Sequence, residues 1–216
     1  MFRKFDETQS TPLCKIMGIN KSDKGSIDIN VSWHNYTTFY YSIFKDLRDK
    51  NLRIFELGLG TNNVNIPSNM GPNGRPGASL YGWQEFFYNS EIFGADIDTD
   101  ILFNTEKIKT FYCDQTNPYI IKYMWNESIL RDNFDIIIDD GLHTFNANVC
   151  FFENSIHKLK SNGYYIIEDI QKHEEHLFIN KIKEWELQYK DCSFILLKIP
   201  STININDNTL LVIFKS

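Results

Sequence analysis

The chain has 216 residues, 22 Lys and Arg against 28 Asp and Glu, and a formal net charge of −6. That length is enough to bury a substantial core as one domain without metals or disulfides as props. No cluster of Lys and Arg forms a basic stripe, which argues against a nucleic-acid partner and for a small one. Cys14, Cys113, Cys150 and Cys192 lie far apart with no CxxC pair, and the segments around Cys113 and Cys150 read as buried, as in a reducing cytoplasm. The first 15 residues carry charge and no apolar core of a secretory signal, and no run approaches the roughly 20 apolar residues of a membrane span. The expectation is a soluble cytoplasmic protein with no membrane partner; self-association into a homo-oligomer is left open.

Residues 1–30 show no sustained period and read as an irregular lead-in with an exposed turn at 21–25. Helical spacing follows over 36–47, where Tyr40, Ile43, Phe44 and Leu47 share a face. A strand over 52–57 then runs into Ile54-Phe55-Glu56-Leu57-Gly58-Leu59-Gly60-Thr61. An apolar run ending in an acid and a glycine pair is how a buried strand hands over to a ligand loop, because glycine lets the backbone come close to the ligand. A dinucleotide fold would want a third glycine at position 63, which is Asn63; this points away from NAD and toward S-adenosylmethionine. Residues 62–78, with three prolines and three glycines, are too long for an ordinary connection and read as a substrate or lid loop whose single charge is Arg75.

Beyond the loop, helices are expected over 80–88, 118–130, 144–159 (closed by Gly163) and 174–189, and strands over 91–97, 109–113, 134–138 and 164–167. The run 134–138 is continuously apolar, as in a strand covered on both faces of a parallel sheet. Strands over 194–198 and 210–215 are joined by a polar loop without a helix, so they should pair as an antiparallel hairpin. The fold class expected is α/β, a doubly wound, mostly parallel sheet ending in an antiparallel hairpin, with residues 1–216 as a single domain.

Four of these strand ends carry acids: Glu56; Asp96 with Asp98; Asp139 with Asp140; and Glu168 with Asp169. Parallel strands place such ends along one crevice. Asp96 is expected to accept hydrogen bonds from ribose hydroxyls, and Asp114 with Gln115 to face an adenine. Asp140 and His143 are three residues apart, and Glu168 and Asp169 end the neighbouring strand about 5 Å away. Hard oxygen donors from two strands suit Mg²⁺ or a similar ion, which would also relieve their mutual repulsion. His143 is the expected general base, because an imidazole titrates near neutrality. The bland readings are that Asp96 caps a turn, that Asp140 through His143 is a helix cap, and that His157, His173 and His176 are structural or solvated. His34 and Tyr36 precede the first helix, where the chain could fold over the crevice and touch substrate.

Taken together, Ser22-Asp23-Lys24-Gly25, His34-Asn35-Tyr36, Glu56-Leu57-Gly58, Gly74 through Leu80 with Trp83, Gly94 through Ile97, Asp139 through His143 and Glu168-Asp169 resemble the class I S-adenosylmethionine-dependent methyltransferases. More narrowly they are similar to the metal-dependent sugar O-methyltransferases of the mycinamicin (macrolide) type. The resemblance spans about residues 22–170; Leu142 stands where relatives often carry a small polar residue, and the macrolide enzymes' auxiliary amino-terminal domain is not matched. It implies a Rossmann-like methyltransferase domain with catalytic His143, with Asp140, Glu168 and Asp169 holding Mg²⁺ or Mn²⁺. It places Glu56, Gly58, Gly60, Asp96, Asp114, Gln115 and Asp139 around S-adenosylmethionine, and Arg75, His34 and Tyr36 near the acceptor. The implied reaction is O-methylation of a nucleotide-linked or polysaccharide-precursor sugar. The rivals are a metal-dependent methyltransferase of catechol-like phenols, a nucleotide-dependent oxidoreductase and a noncatalytic binding protein.

Overall fold

The computed structural model describes residues 4–216. Seven strands form one sheet in the order β3-β2-β1-β4-β5-β7-β6. They are β1 (Arg53–Leu57), β2 (Glu91–Asp96), β3 (Ile108–Tyr112), β4 (Phe134–Asp139), β5 (Leu159–Ile167), β6 (Cys192–Lys198) and β7 (Thr209–Lys215). The first five pair in parallel, and β7 is antiparallel to both β5 and β6. The doubly wound sheet with a terminal hairpin is as expected.

Period-two alternation divides the strand residues between two cores. On one face Ile54, Ile92, Ile136, Ile138 and Ile166 pack with α1 (Pro12–Asn20), α2 (Tyr36–Phe44) and α3 (Ala78–Phe86). On the other, Phe55, Phe93, Ile137 and Ile167 pack with α4 (Pro118–Trp125), α5 (Phe145–Ser155) and α6 (Glu175–Gln188). The helix starts follow local chemistry. Thr11 caps α1 and Asn117 caps α4, each followed by proline at the first helical position, where its missing N–H costs nothing.

Three expectations are corrected. The lead-in is not irregular throughout: Leu13, Ile16 and Met17 share a buried face of α1, a nine-residue helix too short to show a period over a longer window. The helix expected over 144–159 ends at Ser155 and passes through one tighter turn into β5, which starts at Leu159. Gly163 therefore closes no helix. It lies inside β5, where a Cβ would sit 2.8 Å from the Lys160 carbonyl oxygen and 2.9 Å from that of Asp135, beside the register shift between β4 and β5.

Candidate functional site

A cavity of about 410 Å³ opens at the carboxyl ends of β1, β2 and β4, within the size range of small-ligand sites. Gly58 and Gly60 form its floor with φ of +90° and +75°, and the space at Gly58 is already full: a Cβ there would lie 1.8 Å from the Asp140 carbonyl oxygen. Asp96 lines the cavity, and its carboxylate accepts the Leu59 and Asp98 N–H groups at 2.7 and 2.8 Å, so it also ties the glycine loop to β2. The segment 62–77 is irregular, as expected, and forms one wall through Ile66, Pro67, Asn69 and Met70. It is held internally: Asn62 donates to the Gly71 and Gly74 carbonyls, and Gly77 N–H to that of Leu59.

Asp140, His143 and Asp169 meet at this cavity, with one potential ligand atom from each lying within 4.8 Å of the others. His143 Nε2 is 3.3 Å from Asp140 Oδ1, and Nδ1 is 3.4 Å from Asp169 Oδ2. The contact with Asp140 is an ion pair, and Nε2 itself is buried with no hydrogen-bond partner. His143 and Asp169 both hold left-handed backbone conformations, φ 35° and 55°, which non-glycine residues keep only when their surroundings impose them. Burial alone would lower the imidazole pKa, but Asp169 and Asp140 outweigh it and raise it to about 10. Asp140 is likewise drawn down to about 2: burial opposes ionisation, and the charges of Lys24 and His143 prevail.

The turn that carries His143 is braced from below. Gln115 Oε1 accepts the Leu142 N–H at 2.7 Å, which fixes the amide so that Nε2 donates to Asp139 Oδ1, also at 2.7 Å. Asn148 donates to the other Asp139 oxygen, and burial pushes this carboxyl up to about 7.

Strand parity decides which acids meet. Ile136, Ile138 and then Asp140 point to one face, as do Ile54 and Glu56, and Ile166 and Glu168; Asp139 faces the other. On the first face a residue that sequence reasoning did not single out takes the central place. Lys24, buried, puts Nζ 2.5 Å from Asp140 Oδ2, 2.6 Å from Glu168 Oε2 and 3.6 Å from Glu56 Oε1. Those three carboxylates hold it charged, its pKa well above the usual value despite burial. Only its place in Ser22-Asp23-Lys24-Gly25 marked it, because nothing local shows that this lysine will be inside.

Several expected roles shift accordingly. Glu168 is 2.5 Å from the Tyr40 hydroxyl through Oε1 and bound to Lys24 through Oε2, so both oxygens are engaged and it stands outside the Asp140–His143–Asp169 group. Glu56 is fully buried, receives hydrogen bonds from Ser79 and the Trp83 indole, and does not reach the cavity. Asp139 is buried below the cavity rather than lining it. Tyr36 is also fully buried; its hydroxyl donates to Asp169 Oδ1 at 2.8 Å, so it holds that carboxylate and touches no open space. Arg75 turns away from the cavity, donating to the Asn20 carbonyl and lying 4.9 Å over the Tyr81 ring. Gly58, Gly60, Asp96, Asp114, Gln115 and His34 do line the cavity.

No protein-family profile matches the chain. Curated relatives do. The L-olivosyl-oleandolide 3-O-methyltransferase of Streptomyces antibioticus is 30% identical over 162 residues, 74% of this chain and 38% of that one. The 8-demethyl-8-(2-methoxy-alpha-L-rhamnosyl)-tetracenomycin-C 3'-O-methyltransferase of Streptomyces olivaceus is 29% identical over 138 residues, 64% and 33% of the two chains. The chain thus spans about a third of the length of the curated relatives it matches. Among solved structures, the MycE methyltransferase of the mycinamycin pathway, in complex with Mg and SAH, superimposes with a TM-score of 0.70 at 20% identity, over 97% of this chain and 56% of that one. An rRNA methylase from Streptococcus thermophilus superimposes with a TM-score of 0.53 at 13% identity, over 82% and 95%. The chain has the class I methyltransferase fold and is a homologue of the sugar O-methyltransferases.

Proposed function

We propose that the protein is an S-adenosylmethionine-dependent, divalent-ion-dependent O-methyltransferase that acts on a sugar hydroxyl. The observation that carries the reading is the constellation of Asp140, His143 and Asp169 on the same cavity as the Gly58–Gly60 loop and Asp96. The residues fit an ion: two carboxylate oxygens and a partnerless imidazole nitrogen crowd one spot in strained backbone, a donor set suited to Mg²⁺ or Mn²⁺. They fit the methyl donor through a glycine floor that admits no side chain and an acid at the end of β2.

When bound, the ion would lower the pKa of the acceptor hydroxyl and S-adenosylmethionine would supply the methyl group. The chain's own part is orientation and proton removal. Lys24 holds one oxygen of Asp140 and leaves the other turned toward His143. Tyr36 holds Asp169, and Gln115 fixes the turn that aims His143 into the cavity. His143, which lines the cavity, accepts the proton that the hydroxyl gives up. The ring must arrive uncharged, and a cation on Asp140 and Asp169 would remove the pull that keeps it protonated.

A second reading rests on the same group: His143 is a third ligand of the ion rather than the base. One experiment separates the two. Methyl transfer to a panel of sugars is followed by mass spectrometry with and without Mg²⁺, while S-adenosylhomocysteine and Mn²⁺ binding are measured by calorimetry. With His143→Asn, the base reading expects transfer to vanish while both affinities stay within a few-fold. Loss of Mn²⁺ affinity makes His143 a ligand, and transfer that survives EDTA treatment overturns the ion assignment.

The seven strands share one sheet, which supports residues 1–216 as one methyltransferase domain with 62–78 as the loop over the substrate. The acceptors proposed from the sequence are a nucleotide-linked sugar or a polysaccharide precursor, which would make this a cytoplasmic enzyme of polysaccharide biosynthesis. No helix among the described residues is long and apolar enough to cross a membrane.

A further inference from the structure

The glycine floor of the cavity and the turn that carries Asp140 and His143 are built on each other. Asp140 N–H donates to the Leu57 carbonyl at 2.8 Å. The Asp140–Gly141 peptide lies directly on Gly58, where a Cβ would be 2.5 Å from the Asp140 carbonyl carbon and 3.0 Å from the Gly141 nitrogen. Gly141 has no room for a side chain either: its Cβ would overlap Gln115 Oε1 and lie 3.3 Å from the Leu57 side chain. Gln115 closes this seam. It is buried, lines the cavity beside Asp114 and Thr116, and grips the turn at two points, accepting the Leu142 N–H and donating to Asp139. A backbone N–H only donates, so the amide has one orientation here. The turn it grips is also strained, with His143 at φ 35°, a conformation that persists only while its surroundings impose it. Gln115 and Gly58 impose it from one side, and an ion on Asp140 and Asp169 would impose it from the other.

We propose that Gln115 is a positioning residue that couples the two ligands of this cavity, so that the methyl donor and the divalent ion bind with positive cooperativity. A donor seated on Gly58 and against Gln115 restricts the turn 139–143, and an ion held by Asp140 restricts the same turn. Whichever binds second finds the turn already ordered, and by linkage each raises the affinity of the other by one common factor. The consequence is chemical: the ion that acidifies the acceptor hydroxyl is held firmly only when a methyl donor is in place to react with it. This rests on the reading of the site as donor- and ion-dependent, and adds the sign and the route of the coupling.

The test is a closed cycle of binding measurements by calorimetry on the full chain. Mn²⁺ is titrated with and without saturating S-adenosylhomocysteine, and S-adenosylhomocysteine with and without saturating Mn²⁺. In the native protein each ligand is expected to tighten the other by the same factor, at least about fivefold. In Gln115→Leu, which keeps the bulk of the side chain and loses both hydrogen bonds, the factor should fall to within about twofold of unity. Because the factor is a ratio, it does not register a uniform loss of affinity for either ligand. Tyr36→Phe is the comparison: it loosens Asp169 from the far side, so it should weaken Mn²⁺ binding and leave the factor as in the native protein. A native factor of one, with both ligands bound, overturns the coupling and leaves the enzyme reading intact, and this measurement stands whether or not the variant folds. A native factor retained in Gln115→Leu, or lost equally in Tyr36→Phe, overturns the route through Gln115. Failure of the native protein to bind S-adenosylhomocysteine or Mn²⁺ at all removes the donor- and ion-dependent reading and this inference with it.

Discussion

Two carboxylates closing on one imidazole should make folding stability depend on pH above neutrality. Asp169 and Asp140 raise the His143 pKa from 6.5 to about 10 in the folded chain. The folded state therefore holds this proton more tightly than the unfolded one. The contribution is full below about pH 6.5 and is lost as pH rises through about 10. Three units between pH 7 and pH 10, at about 1.36 kcal/mol each, give a loss of about 4 kcal/mol. The assay is urea unfolding of the ion-free protein and of His143→Asn at pH steps from 7 to 10. The difference between the two curves isolates the imidazole from the tyrosines, lysines and cysteines that also titrate there. That difference is expected to shrink by about 4 kcal/mol across the window. Saturating Mg²⁺ should flatten it, and calorimetry in buffers of different ionisation enthalpy should show roughly one proton released per ion bound near pH 8. If native and variant curves run parallel in the absence of ion, the coupling between His143 and the two aspartates is not there and the constellation loses its meaning.

Other outcomes follow from the same packing. Lys24→Met should leave Glu168, Glu56 and Asp140 without their cation and cost about 3–5 kcal/mol by urea unfolding. Adding Glu168→Gln should recover part of that, and a purely additive double mutant would contradict the pairing. Gly58→Ala combines a positive φ with a Cβ 1.8 Å from the Asp140 carbonyl oxygen and should cost more than about 3 kcal/mol, measured the same way. A fully stable variant would show that the glycine floor can move. Tyr36→Phe should lower stability by about 1–3 kcal/mol by leaving the buried Asp169 oxygen without its donor, and should weaken Mn²⁺ binding as Asp169 loosens.

The sequence determined most of the strands, their mostly parallel arrangement and the identity of the loops at their ends, because period-two and period-3.6 patterns and glycine conformations are local properties of the chain. It also led to the expectation that Asp140, His143 and Asp169 lie close together, since adjacent parallel strands end side by side, and the structure brings them within 4.8 Å. What only the tertiary structure decided is which carboxylate serves which neighbour. Glu56 and Glu168 looked like further members of the site, but Lys24, 144 residues from Glu168 in sequence, arrives between them and Asp140 and engages both. Tyr36 and Arg75 went the same way, one buried against Asp169 and the other folded onto the outside of α3. A lysine in a polar turn carries no local sign that it will be buried, because its burial is stable only once three acids from three strands have been assembled around it.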